Sequence, residues 1–140
     1  MNGCATPQFQ YDSHRDRMSN KVVETARIAS TTMLHFDRPL REYRQMHLFM
    51  AGYASKHPAV AFSVIREIFT NDRIWVKFDN EAPIAFETTY GLDGSYDTIW
   101  LKDKDVKRFI RKVKHSKKML VEAVFYRHGS KISEFNTRGF

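Results

Sequence analysis

Along most of this chain apolar and polar residues alternate with a period of two, the signature of half-buried β-strands. Val22, Val23, Thr25 and Ile28 mark a first strand. Leu48, Phe49, Met50 and Tyr53 mark a second, with Gly52 at a bulge or a close backbone approach. From Ala59 to Phe69, Val60, Phe62 and Val64 alternate with Ala61, Ser63 and Ile65. Arg73 to Asp79 puts Ile74, Val76 and Phe78 on one face, and Ala82 to Tyr90 sets Ile84, Phe86 and Thr88 against Ala85, Glu87 and Thr89. Tyr96 to Leu101 is short and aromatic, and Met119 to Tyr126 with Lys131 to Thr137 forms a hairpin around His128-Gly129-Ser130. Turn chemistry separates these runs at His57-Pro58, Asn71-Asp72, Asp79-Asn80, Gly91 and Asp93-Gly94. Residues 36–45 fit a loop or a short helix. Short strands at this spacing predict a sandwich or a barrel.

One stretch changes period. Val106, Phe109, Ile110 and Val113 lie at i, i+3, i+4 and i+7, the apolar stripe of a helix. Asp103 or Asp105 suits its N-cap, and Lys112, Lys114 and His115 suit its C-terminal end. The expected fold is therefore mainly β. Residues 21–140 form a single-domain antiparallel β-sandwich or flattened barrel, with one C-terminal amphipathic α-helix before the last hairpin. That helix closes one end or edge of the sheet. Residues 1–20 are polar and read as a tether, from which Phe9 and Tyr11 can dock on the domain. The 140 residues suit one domain, and 42% hydrophobic with 14% aromatic residues supply a packed core.

Charge sharpens the picture of the helix. The net charge is +7. Residues 102–118 hold nine Lys or Arg and two Asp, which is the whole excess, and the remainder carries fourteen of each sign. With the apolar stripe turned inward, Lys104, Lys107, Arg108, Arg111 and Lys112 lie around the other side. They are the candidate partner-binding residues, an electrostatic landing face for an anionic surface. Trp75 alternates to the face opposite Ile74, Val76 and Phe78, so it is the candidate aromatic platform, whereas Trp100 belongs in or beside the core.

Candidate chemistry adds little. Histidines 14, 35, 47, 57, 115 and 128 share no metal-ligand spacing, and the acids at 93, 97, 103 and 105 lack the closing Glu of an EF-hand loop. The chain contains no G-x-S-x-G and no glycine-rich phosphate loop. No catalytic residue, metal or cofactor is expected, and a small enzyme is the weakest of the functional readings. No run of about 18 apolar residues marks a membrane-spanning helix.

Two resemblances place this domain. Asn2-Gly3-Cys4-Ala5-Thr6-Pro7 resembles the end of a bacterial lipobox, with Met1 where the usual Leu stands. It implies lipidation of Cys4, with palmitate as one of its acyl chains. Ala5, rather than Asp, after the cysteine implies the periplasmic side of the outer membrane. Arg73-Ile-Trp-Val-Lys-Phe-Asp79, Pro83, Asp93-Gly94-Ser95-Tyr96-Asp97, Phe109, Lys118-Met-Leu-Val-Glu-Ala-Val-Phe-Tyr126, Gly129 and Phe135-Asn-Thr-Arg-Gly-Phe140 follow in order. They resemble small bacterial periplasmic and lipoprotein families, some of them type VI secretion-associated proteins. The likeness covers roughly residues 16–140 and is specific in the last seventy. Asn136 and Phe140 stand where that pattern has Asp and Leu, and its early-strand cysteine is missing, so no shared disulfide carries over. The family implies no catalytic residues.

The expected protein is a non-enzymatic envelope lipoprotein that binds a protein or an anionic component of the envelope. Secretion-system assembly and surface exclusion or inhibition of a competitor are its expected settings. The alternative is a cytoplasmic, basic nucleic-acid-binding module, phage-encoded or cellular, in which Lys-rich segments meet phosphates and aromatic rings stack on bases.

Overall fold

The computed structural model describes residues 6–37, 42–70, 72–91 and 94–140. In chain order the elements are β1 (Gln10–Arg15), β2 (Val22–Ala29), β3 (Leu34–Phe36), β4 (Glu42–Arg44), β5 (His47–Ala51) and β6 (Ala59–Ser63). They continue with β7 (Arg73–Phe78), β8 (Ile84–Tyr90), β9 (Thr98–Leu101), α1 (Asp103–Lys114), β10 (Lys118–Phe125) and β11 (Gly129–Asn136). Among the described residues nine strands form one antiparallel sheet in the order β1-β2-β5-β6-β9-β8-β7-β10-β11, and β3 pairs with β4. The chain is mainly β, with one helix before the last hairpin, as expected.

The sheet bends over on itself. In a flat sheet β6 and β11, five strand spacings apart, would be about 24 Å from each other. Yet the rings of Phe62 on β6 and Phe135 on β11 are 6.2 Å apart. The loop after β2 completes the fold: the Thr31 N–H donates to the Glu134 carbonyl at 2.7 Å, and the Glu134 N–H donates to Thr32 Oγ1 at 3.0 Å. Strands β1 and β11 do not pair, so the arrangement is an open, sandwich-like curl and not a closed barrel.

Alternation explains what fills it. Ile74, Val76 and Phe78 of β7 and Met119, Val121, Ala123 and Phe125 of β10 are buried, and the residues between them are more open. Two devices cover the ends of this core. At one, Phe109 of α1 meets Phe62, Phe78 and Phe86. At the other, Phe36 of β3 and Phe69 of the β6–β7 connection pack on Phe125. That connection crosses between strands through bonds from Phe69 N–H to the Tyr96 carbonyl and from Thr70 N–H to the Val124 carbonyl.

Several local expectations change. Within the segment expected to be a tether, Gln10–Arg15 forms the edge strand β1, in register with β2 from Gln10 opposite Arg27 to Arg15 opposite Val22. All six residues are exposed, so no hydrophobic alternation announces the strand. What fixes it is backbone pairing and an aromatic group: Phe9 lies 5.1 Å from Phe140, and Tyr11 donates its hydroxyl to the Gly139 carbonyl at 3.0 Å. Residues 36–45 are not a helix where described, because β3 and β4 flank residues 38–41. The N-cap of α1 is Lys102, with no side-chain cap, and Asp103 and Asp105 sit in the first turn instead. There they favour the positive end of the helix dipole. Gly52 is a turn residue at φ +55°, where a Cβ would meet Ser55 Oγ at 2.8 Å.

Candidate functional site

The apolar stripe places the helix, and the helix then places its cations. Val106, Phe109, Ile110 and Val113 are all buried, as their spacing predicts. The C-terminal end is fastened separately. The Ser116 and Thr137 hydroxyls share a buried hydrogen bond of 2.7 Å, and Asp79 Oδ1 accepts the N–H groups of Lys117 and Lys118, each at 3.0 Å. Side chains projecting from such a helix start from fixed positions.

The five expected partner-binding residues divide into two groups. Lys104 Nζ lies 3.1 Å from Glu87 Oε1, Arg108 pairs with Asp105 at 3.2 Å, and Lys112 Nζ reaches Glu81 Oε1 at 3.0 Å. Lys102 also contacts Glu87, at 3.2 Å. Hydrogen bonds from Lys104 and Lys102 hold the Glu87 carboxyl below its ordinary range. The Arg108 guanidinium lies 5.1 Å from the centroid of Phe86. Lys107 and Arg111 behave differently. Both are exposed, and among the described residues neither has an acidic partner. Lys114, which suits the helix dipole, is exposed as well and has no acidic partner among the described residues. These three lie at i, i+4 and i+7, one continuous stripe on the helix surface.

Two shallow grooves adjoin at Asp79. One, of about 280 Å³, runs between α1 and the β7–β8 turn and is lined by Arg108, Arg111, Lys112 and His115 opposite Asp79 and Glu81. The other, of about 570 Å³, lies against the ends of β10 and β11 and includes Thr6, Lys117, Lys118 and Arg138. Sequence reasoning missed this second groove. Lys117 and Lys118 were visible in the basic run, but Arg138 and Thr6 come from opposite ends of the chain.

Trp75 is on the outward face of β7 as its alternation predicts, 42% exposed. Its neighbours in register are Ala85 of β8 and Glu122 of β10, not the unpaired helix cations. Trp100 is half-buried, edge-on to Phe49 at 6.4 Å. Cys4, the expected lipidation site, lies outside the described residues. Among the described residues no three His, Cys, Asp or Glu gather in a way that could hold a metal ion, and no helix is long and apolar enough to cross a membrane. Comparison with protein-family models, with curated proteins and with solved structures finds no match, so the functional reading rests on sequence and geometry.

Proposed function

We propose that this chain is a non-enzymatic binding module of the bacterial envelope that captures an acidic protein surface on its cationic helix. The observation that carries the reading is the stripe Lys107, Arg111 and Lys114. Three exposed cations with no ion-pair partner among the described residues stand on a helix whose other side is anchored by Phe109. An anionic partner meets these charges without first displacing a carboxylate of the protein itself, which favours fast, oriented encounter. The lipobox-like residues around Cys4 support attachment to the outer membrane, facing the periplasm. The likeness to secretion-associated periplasmic proteins supports a role as an accessory of a secretion system or as a surface exclusion factor or inhibitor.

The test is capture from envelope extracts by wild type and by K107E/R111E/K114E. The triple variant should stay folded, with only the small fall in melting temperature that acids at the negative end of the helix dipole bring, and lose the partner. Wild-type capture should weaken as salt rises, since screening acts beyond about 8 Å at physiological ionic strength. Unchanged capture by the folded variant would reject the site. Tight, salt-dependent shifts of single-stranded DNA or RNA with no envelope partner would favour the nucleic-acid reading. Labelled palmitate taken up by the protein with a secretion leader, but not by its Cys4→Ser form, is the expected outcome for the anchor.

A further inference from the structure

The groove between Lys117, Lys118 and Arg138 has one feature that the helix stripe lacks: the start of the described chain runs into it. Thr6 is one of its lining residues. Whatever is attached two residues before Thr6 is within about 7 Å of it along an extended chain. Acyl chains on Cys4 would therefore be joined to the chain within that distance of Thr6. We infer that the groove is the surface turned toward the membrane, and that it takes the phosphate-bearing headgroups of an anionic bilayer. The orientation rests on the envelope-lipoprotein reading, whereas the affinity for headgroups does not.

Its chemistry suits that ligand. Lys117, Lys118 and Arg138 are exposed and have no acidic partner among the described residues. Two acids also line the groove, Asp79 and Glu134. One oxygen of Asp79 is already occupied by two backbone N–H groups. The Asn136 carboxamide oxygen accepts the Arg138 N–H at 3.2 Å, which leaves its NH2 group to donate. Across Asp79 the adjoining groove adds His115. Lysines and an arginine beside amide donors, at a width open to solvent, match phosphate oxygens. The helix stripe remains available to the protein partner, so capture would occur at the bilayer surface.

Vesicle co-sedimentation of the full chain carrying Cys4→Ser tests the surface without any acyl anchor. Binding should appear with phosphatidylglycerol vesicles, be absent with phosphatidylcholine vesicles, and weaken with salt. A basic side chain near an anionic surface is worth about a fivefold change in binding, so K117Q/K118Q/R138Q should lose on the order of 100-fold. K107Q/K114Q should lose far less. No binding to phosphatidylglycerol, equal loss in the two variants, or preference for soluble polyglutamate over vesicles would overturn the inference. So would binding that appears only after deletion of residues 1–5, because the chain itself would then be the occupant. Failure of palmitate labelling with vesicle binding intact removes the anchor and leaves this surface standing. Intact labelling and partner capture without vesicle binding does the reverse.

Discussion

On one side of α1, Lys104, Arg108 and Lys112 each lie within 3.2 Å of a carboxylate. On the other, Lys107, Arg111 and Lys114 meet none among the described residues. Both groups come from one twelve-residue helix, are mostly exposed, and are Lys or Arg. Arg108 takes its carboxylate from Asp105, one turn earlier on the same helix, and the rest of the difference is in what the sheet brings up to each group. Glu81 in the β7–β8 turn pairs with Lys112 and Glu87 on β8 with Lys104, and among the described residues no carboxylate comes within ion-pair distance of the second group. Exposed pairs of this kind add only about 0–1 kcal/mol to stability. Their larger effect is on the field, because a cation beside its own carboxylate offers little to a partner. Charge count and available charge are thus separate properties of the helix.

The comparison can be broken at several strengths. The largest effect lies beneath both groups. Phe109→Ala empties the contact with Phe62, Phe78 and Phe86 and should cost about 3–5 kcal/mol, read as a collapse of the denaturant midpoint. A wild-type-like midpoint would mean that the helix is not held by its apolar stripe. Asp79→Ala is next. It leaves the N–H groups of Lys117 and Lys118 without their acceptor at the corner between helix and β10, and should cost about 1–3 kcal/mol in a chemical melt.

Charge reversal separates the two sides directly. R108E/K112E sets new carboxylates beside Asp105 and Glu81 and should lower the melting temperature. K107E/R111E/K114E breaks no ion pair among the described residues and should lower it less, by the small cost of acids at the negative end of the helix dipole, while reducing affinity for the partner. Equal melting behaviour in the two variants would dissolve the distinction.

The smallest effect is the most specific. Glu87→Gln releases Lys102 and Lys104, and affinity for a non-titrating polyanion such as dextran sulfate should rise about two- to fivefold. The wild type should show the same gain only in acid. The folded-state pKa of Glu87 is lowered from an ordinary value of 4.5, so its pairs are complete above that value and are lost as pH falls through the lowered one. Measured affinity that is flat with pH, or that rises equally in Glu87→Gln, would show that Lys102 and Lys104 are not neutralised by this carboxylate.

Much of the fold was legible because its cause is local. The period of two in β7, β8 and β10 and the period of 3.6 in α1 each state which face is buried, and Trp75 and Phe109 were placed correctly on that basis. Strand β1 was not legible, since an exposed edge strand buries nothing that could impose a pattern. Nor were β3 and β4, three residues each, too short to display a period. The candidate site was half visible. The basic run identifies the helix, and Asp105 three residues before Arg108 is a local pair, but Glu81 and Glu87, which distinguish Lys112 and Lys104, are distant in sequence and lie outside the helix.

The sequence by itself determined the alternation of strands, the apolar stripe of α1 and the concentration of the charge excess in residues 102–118, because each depends on neighbours within a few positions. Tertiary structure alone decided that Glu87 neutralises Lys104 and Glu81 neutralises Lys112, and that Thr6, Lys117 and Arg138 line one groove. Coulomb interactions and packing act through space. The sheet must curl and the helix must dock before residues from three separate parts of the chain can share a surface.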